Sequence, residues 1–160
     1  MIKISTVLKF AAVASVLTLA ACTDKPKAVE TAPPPTSMSS STTSSIVPGS
    51  AEDLRVNVGA TVHFDYDAYN LTDEDRTVLQ RQAAWLAKYP SVRVTVEGHC
   101  DERGTREYNL ALGARRANSV KEYLVSVGVS AARVDTISYG KERPICTESD
   151  EGCYAQNRRG

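Results

Sequence analysis

The segment from Thr31 to Ser50 limits the fold more than any other part of this 160-residue chain. Fifteen of its twenty residues are Ser, Thr or Pro, and no aromatic residue occurs between Phe10 and Phe64. Such a stretch buries too little apolar surface to offset the entropy lost on ordering, so residues 22–50 are expected to form a disordered linker. As a coil, the linker spans about 30 Å; pulled taut it reaches about 90 Å. Any core must therefore come from residues 51–160, enough for one small domain.

The residues ahead of the linker read as an export signal over 1–21. Lys3 and Lys9 flank or precede the apolar run Phe10–Leu19, which is shorter than the roughly 20 residues a membrane span needs. Leu19-Ala20-Ala21-Cys22 resembles the lipobox of bacterial lipoproteins. That resemblance implies fatty acylation of Cys22, palmitate included, and cleavage that leaves Cys22 as the new N-terminus. The plainer alternative is an ordinary signal peptide with a chance cysteine. Several acyl chains on one residue give the stable anchoring that a single chain does not.

Within 51–160 the apolar pattern changes period several times. Thr61-Val62-His63-Phe64 alternates as a short strand. Thr72 and Asp75 form a capping-box-like helix start, and Val78, Leu79, Ala83 and Leu86 recur at helical spacing until Pro90. Val92, Val94 and Val96 alternate as a second strand. Leu110, Ala114, Ala117, Val120, Leu124 and Val127 form the stripe of a second helix, closed by Gly128. Ser130 starts one more short turn, Val134–Tyr139 is a third strand, and Tyr154–Arg158 reads as a helical turn. The order strand-helix-strand-helix-strand predicts an α/β (α+β) two-layer sandwich.

Equal numbers of basic and acidic residues, 19 each, argue against a nucleic-acid partner, which needs excess positive charge. The polar stretch Glu97-Gly98-His99-Cys100-Asp101-Glu102-Arg103-Gly104-Thr105 is the densest cluster of reactive side chains. His99 and Cys100 are adjacent, and on an extended strand adjacent side chains face opposite ways, so they make no catalytic dyad. Asp67 and Asp101 as a glycosidase pair lack any sign of a sugar cleft. His99, Cys100 and Asp101 are contiguous rather than spaced as metal ligands are. No enzyme activity, metal or cofactor is expected. Cys146 and Cys153 flank a short loop in an exported chain and are expected to pair, with two free thiols as the alternative; Cys100 then stays single. Asp67, Asp101 and Arg116 suit a zwitterion, Asp taking an ammonium and Arg a carboxylate. A structural Asp101–Arg116 salt bridge is the plain alternative that spacing leaves open.

Taken together, Phe64-Asp65-Tyr66-Asp67, the Glu97–Thr105 stretch, Tyr108-Asn109, Leu112-Gly113-Ala114-Arg115-Arg116-Ala117, Ser138-Tyr139-Gly140 and Gln156-Asn157-Arg158-Arg159 resemble the OmpA-like C-terminal domain family, in the form carried by peptidoglycan-associated lipoproteins. The resemblance implies non-covalent binding of peptidoglycan through meso-diaminopimelate of the stem peptide. It carries that role onto Asp67, Asp101 and Arg116, with Asn109 and Leu112 lining the groove. It further implies lipid anchoring in the outer membrane of a Gram-negative bacterium, with the domain in the periplasm. Membership of the Tol–Pal system, with the propeller protein TolB as a second partner, and a part in envelope integrity and cell division follow. Two departures stand out. Cys100 occupies a position usually held by a small residue such as Ala. The family continues after Asn-Arg-Arg with an apolar strand, whereas the given sequence stops at Gly160; either it is cut short or the domain lacks that strand, and in the second case an exposed sheet edge is expected, a hazard for solubility.

Overall fold

The computed structural model describes residues 46–160. The expected signal segment, the lipidation site Cys22 and the linker as far as Ser45 lie outside the described residues. Four helices and two strands follow in order: α1 (Ala51–Asn57), α2 (Asp73–Lys88), β1 (Val94–His99), α3 (Arg106–Ser126), a 3-10 turn (Ala131–Arg133), β2 (Val134–Gly140) and α4 (Glu151–Asn157).

Helix α1 has no counterpart among the expected elements. Ser50 caps it, its Oγ accepting the Asp53 N–H at 3.1 Å. The Asp53 carboxylate then accepts from Gly49 N–H (2.7 Å), Asn57 Nδ2 (2.7 Å) and Trp85 Nε1–H (3.0 Å), which fastens α1 to α2. Helix α2 opens on a capping box between Thr72 and Asp75 and stops short of Pro90, whose ring disfavours helix at the residue before it. Helix α3 starts on Thr105, and Gly128 just past its end takes φ +103°.

The two strands pair in parallel from Val94–Val134 to Gly98–Ser138, and α3 is the crossover between them. It lies directly on the sheet. A Cβ at Gly98 would stand 1.8 Å from the Gly113 carbonyl oxygen, so helix and strand backbones touch. Leu79, Leu86, Val96, Ala117, Val120 and Val134 meet in one core, with Val62 and Phe64 closing it. Helices over a sheet give the expected α/β two-layer arrangement.

The expected first strand is corrected. Thr61–Phe64 makes only a single antiparallel bridge, His63 to Arg159. Val62 and Gly160 exchange N–H···O bonds at 3.0 Å, and Phe64 N–H reaches Arg158 O at 2.9 Å. On the other side, His99 N–H donates to Arg159 O at 2.9 Å. Arg158–Gly160 thus lies extended between Val62–Phe64 and the end of β1, and three residues are too few for a ladder. Alongside Gly160, the edge of β1 away from β2 has no strand partner among the described residues. An apolar groove of about 460 Å³ runs there, lined by Leu54, Leu79, Leu86, Val94, Val96 and Leu124 among others.

Candidate ligand-binding site

At the C-terminal end of β1 the chain forms a small polar pocket of about 140 Å³. Three segments wall it: Tyr66-Asp67, the β1–α3 loop from Cys100 to Gly104, and the first turns of α3. All five residues expected to bind ligand, Asp67, Asp101, Asn109, Leu112 and Arg116, line this pocket.

Arg116 is wholly buried. Its three nitrogens donate to backbone carbonyls: Nε to Ala68 O at 2.8 Å, Nη1 to His99 O at 2.8 Å and Nη2 to Asp65 O at 3.1 Å. One guanidinium therefore ties the 65–68 loop to the end of β1. The alternative Asp101–Arg116 salt bridge is not among the ion pairs of the described residues. Asp101 instead pairs with Arg103 (2.5 Å) and Arg158 (3.3 Å), and also accepts the Arg103 backbone N–H at 3.1 Å. Burial opposes its charge, but the bonds from Arg103 and Arg158 outweigh it and hold the carboxyl below its ordinary pKa.

Asp67 takes φ 55°, the left-handed region that Asp tolerates better than most residues. Its carboxylate accepts the Tyr108 hydroxyl, which raises the tyrosine pKa. Asn109 is buried and donates to Arg103 O (2.7 Å) and Thr105 O (3.0 Å), fixing the shape of the loop above it. Leu112 supplies an apolar floor.

The two reactive-looking neighbours bond elsewhere. The Cys100 thiol donates to Asn109 O at 3.3 Å, and burial pushes its pKa up. The His99 Nε2 lies 3.4 Å from Glu97, its Nδ1 is buried without a partner, and burial, with Arg159 nearby, lowers its pKa. Both groups are neutral at pH 7 and face different surroundings.

Sequence reasoning missed Arg103 and the aromatic residues around it. Its guanidinium lies between the rings of Tyr66 (4.1 Å to the centroid) and Tyr154 (4.3 Å). The only signal was its place in the polar stretch, two residues after Asp101. Tyr154 and Glu151 arrive on α4. A Cys146–Cys153 disulfide, with Cα atoms 5.3 Å apart, closes the loop before that helix. The Asn157 side chain bonds the Ile145 and Cys146 backbone from the helix end.

A family model described as the OmpA family matches residues 63–158. A peptidoglycan-associated lipoprotein of Agrobacterium fabrum is 55% identical over 115 residues, covering 72% of this chain and 65% of the relative. One from Rhizobium meliloti is 56% identical over 112 residues, covering 70% and 64%. The chain thus spans a little under two thirds of these relatives' length. The crystal structure of the peptidoglycan-associated lipoprotein from Burkholderia pseudomallei superposes with a TM-score of 0.61 at 43% identity, covering 62% of this chain and 84% of that one. With its fold and its sequence in agreement, the chain belongs to the OmpA family, among relatives named peptidoglycan-associated lipoprotein.

Proposed function

We propose that this chain is a non-catalytic, lipid-anchored outer-membrane protein whose periplasmic domain binds peptidoglycan through the meso-diaminopimelate of the stem peptide. One observation carries the proposal: the pocket is lined by two carboxylates, Asp67 and Asp101, and two guanidiniums, Arg103 and Arg116. Its formal charge balances at zero. A ligand end bearing an ammonium and a carboxylate on one carbon preserves that balance, whereas a singly charged ligand leaves one buried charge unmatched. The free end of diaminopimelate is such a zwitterion. The names of the relatives support the same reading. Tethering of the outer membrane to the wall, and a role in the Tol–Pal system with TolB as a protein partner, belong to the proposal as its cellular consequence.

The test is sedimentation of the purified chain with sacculi containing diaminopimelate, compared with sacculi containing lysine at that position. Binding is expected for the former only. Asp67→Ala is expected to weaken it by about 1.5–3 kcal/mol, roughly ten- to hundredfold. Asp67 is a cleaner probe than Asp101, which also holds the buried Arg158. Equal sedimentation with both wall types, or no effect of Asp67→Ala, refutes the proposal. Release of soluble muropeptides would point to a hydrolase instead.

A further inference from the structure

The Cys146–Cys153 disulfide sits beside the pocket rather than in the core. From Arg143 to Gly152 every residue except Cys146 is exposed, so this loop buries little apolar surface to hold its own shape. Two tethers join it to α4. At the helix end, the Asn157 side chain donates to Cys146 O at 2.7 Å and accepts from the Ile145 and Cys146 N–H groups at 2.9 and 3.2 Å. At the helix start, the disulfide ties Cys146 to Cys153 in the first turn. Seven residues are too few for a helix to hold its place by itself, so the placement of that first turn leans on the bond.

The same turn carries the contacts that reach the pocket. Glu151 bonds Arg158 Nη2 at 2.6 Å and faces Arg103 Nη1 at 3.6 Å. Tyr154, the residue after Cys153, packs its ring on the Arg103 guanidinium, and its hydroxyl donates to Glu102 Oε1 at 2.8 Å. Arg103 and Arg158 are in turn the ion-pair partners of the buried Asp101 carboxylate, which lines the pocket. The disulfide therefore stands one residue from a chain of contacts that ends on the pocket wall. Of its two sulfurs, Cys146 is the more accessible: that residue is half-buried, whereas Cys153 is 2% exposed. The remaining thiol of the domain, Cys100, is buried and bonded to Asn109 O.

We propose that the Cys146–Cys153 bond is a thiol–disulfide exchange site that sets the affinity of the neighbouring pocket, high when oxidised and low when reduced. This rests on the reading of the pocket as a diaminopimelate site and adds its regulation. The co-reactant is a dithiol. One of its thiolates attacks Cys146 Sγ, the S–S bond breaks, and Cys153 leaves as the thiolate, which takes up a proton. The second sulfur of the co-reactant, also as a thiolate, then attacks the mixed disulfide and releases Cys146, which takes up the other proton. Two electrons and two protons pass to the cysteine pair, and the dithiol becomes a disulfide. Freed of the bond, the first turn of α4 frays, Tyr154 and Glu151 let go of Arg103, and the Asp101 carboxylate loses the framework that aims it.

Calorimetry with the tripeptide L-Ala-γ-D-Glu-meso-diaminopimelate, on the purified chain with and without dithiothreitol, tests it. Reduction is expected to weaken binding about tenfold, within the usual range for coupled sites, and reoxidation to restore it. The Cys146→Ser, Cys153→Ser double variant is expected to bind as the reduced wild type does, with or without dithiothreitol, which separates the bond from Cys100. Tyr154→Ala with the bond intact is expected to bind weakly as well. Reduction then costs it little more, because both changes cut the same chain of contacts. Trp85 emission is expected to stay that of the folded protein throughout. Equal affinity of the oxidised and reduced wild type, or an undiminished effect of reduction in Tyr154→Ala, overturns the proposal and leaves the diaminopimelate reading standing. Loss of the folded Trp85 emission on reduction does the same, since the bond would then hold the fold rather than the pocket. No binding by the oxidised wild type overturns both.

Discussion

Replacing Arg116 by Ala removes three hydrogen bonds at once, and their sizes follow from where the acceptors sit. The His99 carbonyl bond is fully buried, and stranding its acceptor costs about 2 kcal/mol. The Ala68 and Asp65 bonds are partly buried, so water replaces the lost donor in part; about 1 kcal/mol each is the fitting figure. The guanidinium also lies 5.2 Å from the Phe64 ring centroid, a contact of about 0.5 kcal/mol. The sum is about 4.5 kcal/mol. That is a large share of the 5–15 kcal/mol typical of a small domain. Urea unfolding reads it through Trp85, the single and buried tryptophan. With a slope of about 2 kcal/mol per molar urea, the midpoint should fall by about 2 M. A loss below about 1 kcal/mol would refute the reasoning, because three stranded carbonyls in this setting cannot be so cheap. The result also governs how binding data are read: a ligand defect in Arg116→Ala arises from a loosened 65–68 loop before any direct contact is considered.

Three further outcomes follow. Asp53 is held down to about 2, first by the Gly49 N–H and then by Asn57 and Trp85. Its folded pKa lies below its unfolded one, so its contribution is complete above about pH 4 and is lost as pH falls towards 2; Asp53→Asn should flatten the acid limb of the urea midpoint measured against pH. Reducing the Cys146–Cys153 bond releases a loop of sequence separation 7, for which chain entropy gives about 2.5 kcal/mol, measurable as a lower midpoint with reductant and absent in a Cys146→Ser, Cys153→Ser control. Gly113→Ala would set a Cβ 2.3 Å from Ser138 Oγ, which is itself bonded to Leu110 O, and should cost about 3 kcal/mol in the same assay.

The long elements were legible because their signals are local. The stripe from Leu110 to Val127 and the capping pair Thr72 and Asp75 mark α3 and α2 within a few residues. Helix α1 carries a similar sign, Ser50 with Asp53 three residues on, but it directly follows residues that read as linker and has little apolar periodicity of its own. The Thr61–Phe64 segment falls short of a strand because its partner, nearly a hundred residues away, is only the three residues Arg158–Gly160, which local alternation cannot reveal. The site divides in the same way. Its five expected residues do line one pocket, which motif spacing could suggest. The work of Arg116 could not be read, since its partners are carbonyls, and any residue type supplies a carbonyl. Arg103 stood in plain view, but its stacking partners come from 37 residues before it and 51 after it, through a loop and through α4.

The meeting of Gly98 and Gly113 bears on how such a chain can diverge. A side chain at residue 98 would strike the carbonyl of residue 113, and one at residue 113 would strike the carbonyl of residue 98 at 2.8 Å. Backbone atoms stand in the way on both sides, so no replacement at either position can make room for a change at the other. Most touching core residues can trade volume, a larger one here for a smaller one there, and leave a correlated trace across homologues. These two cannot. Each is expected to stay glycine on its own account, and an alignment searched for covarying pairs would pass over one of the tightest contacts in the domain.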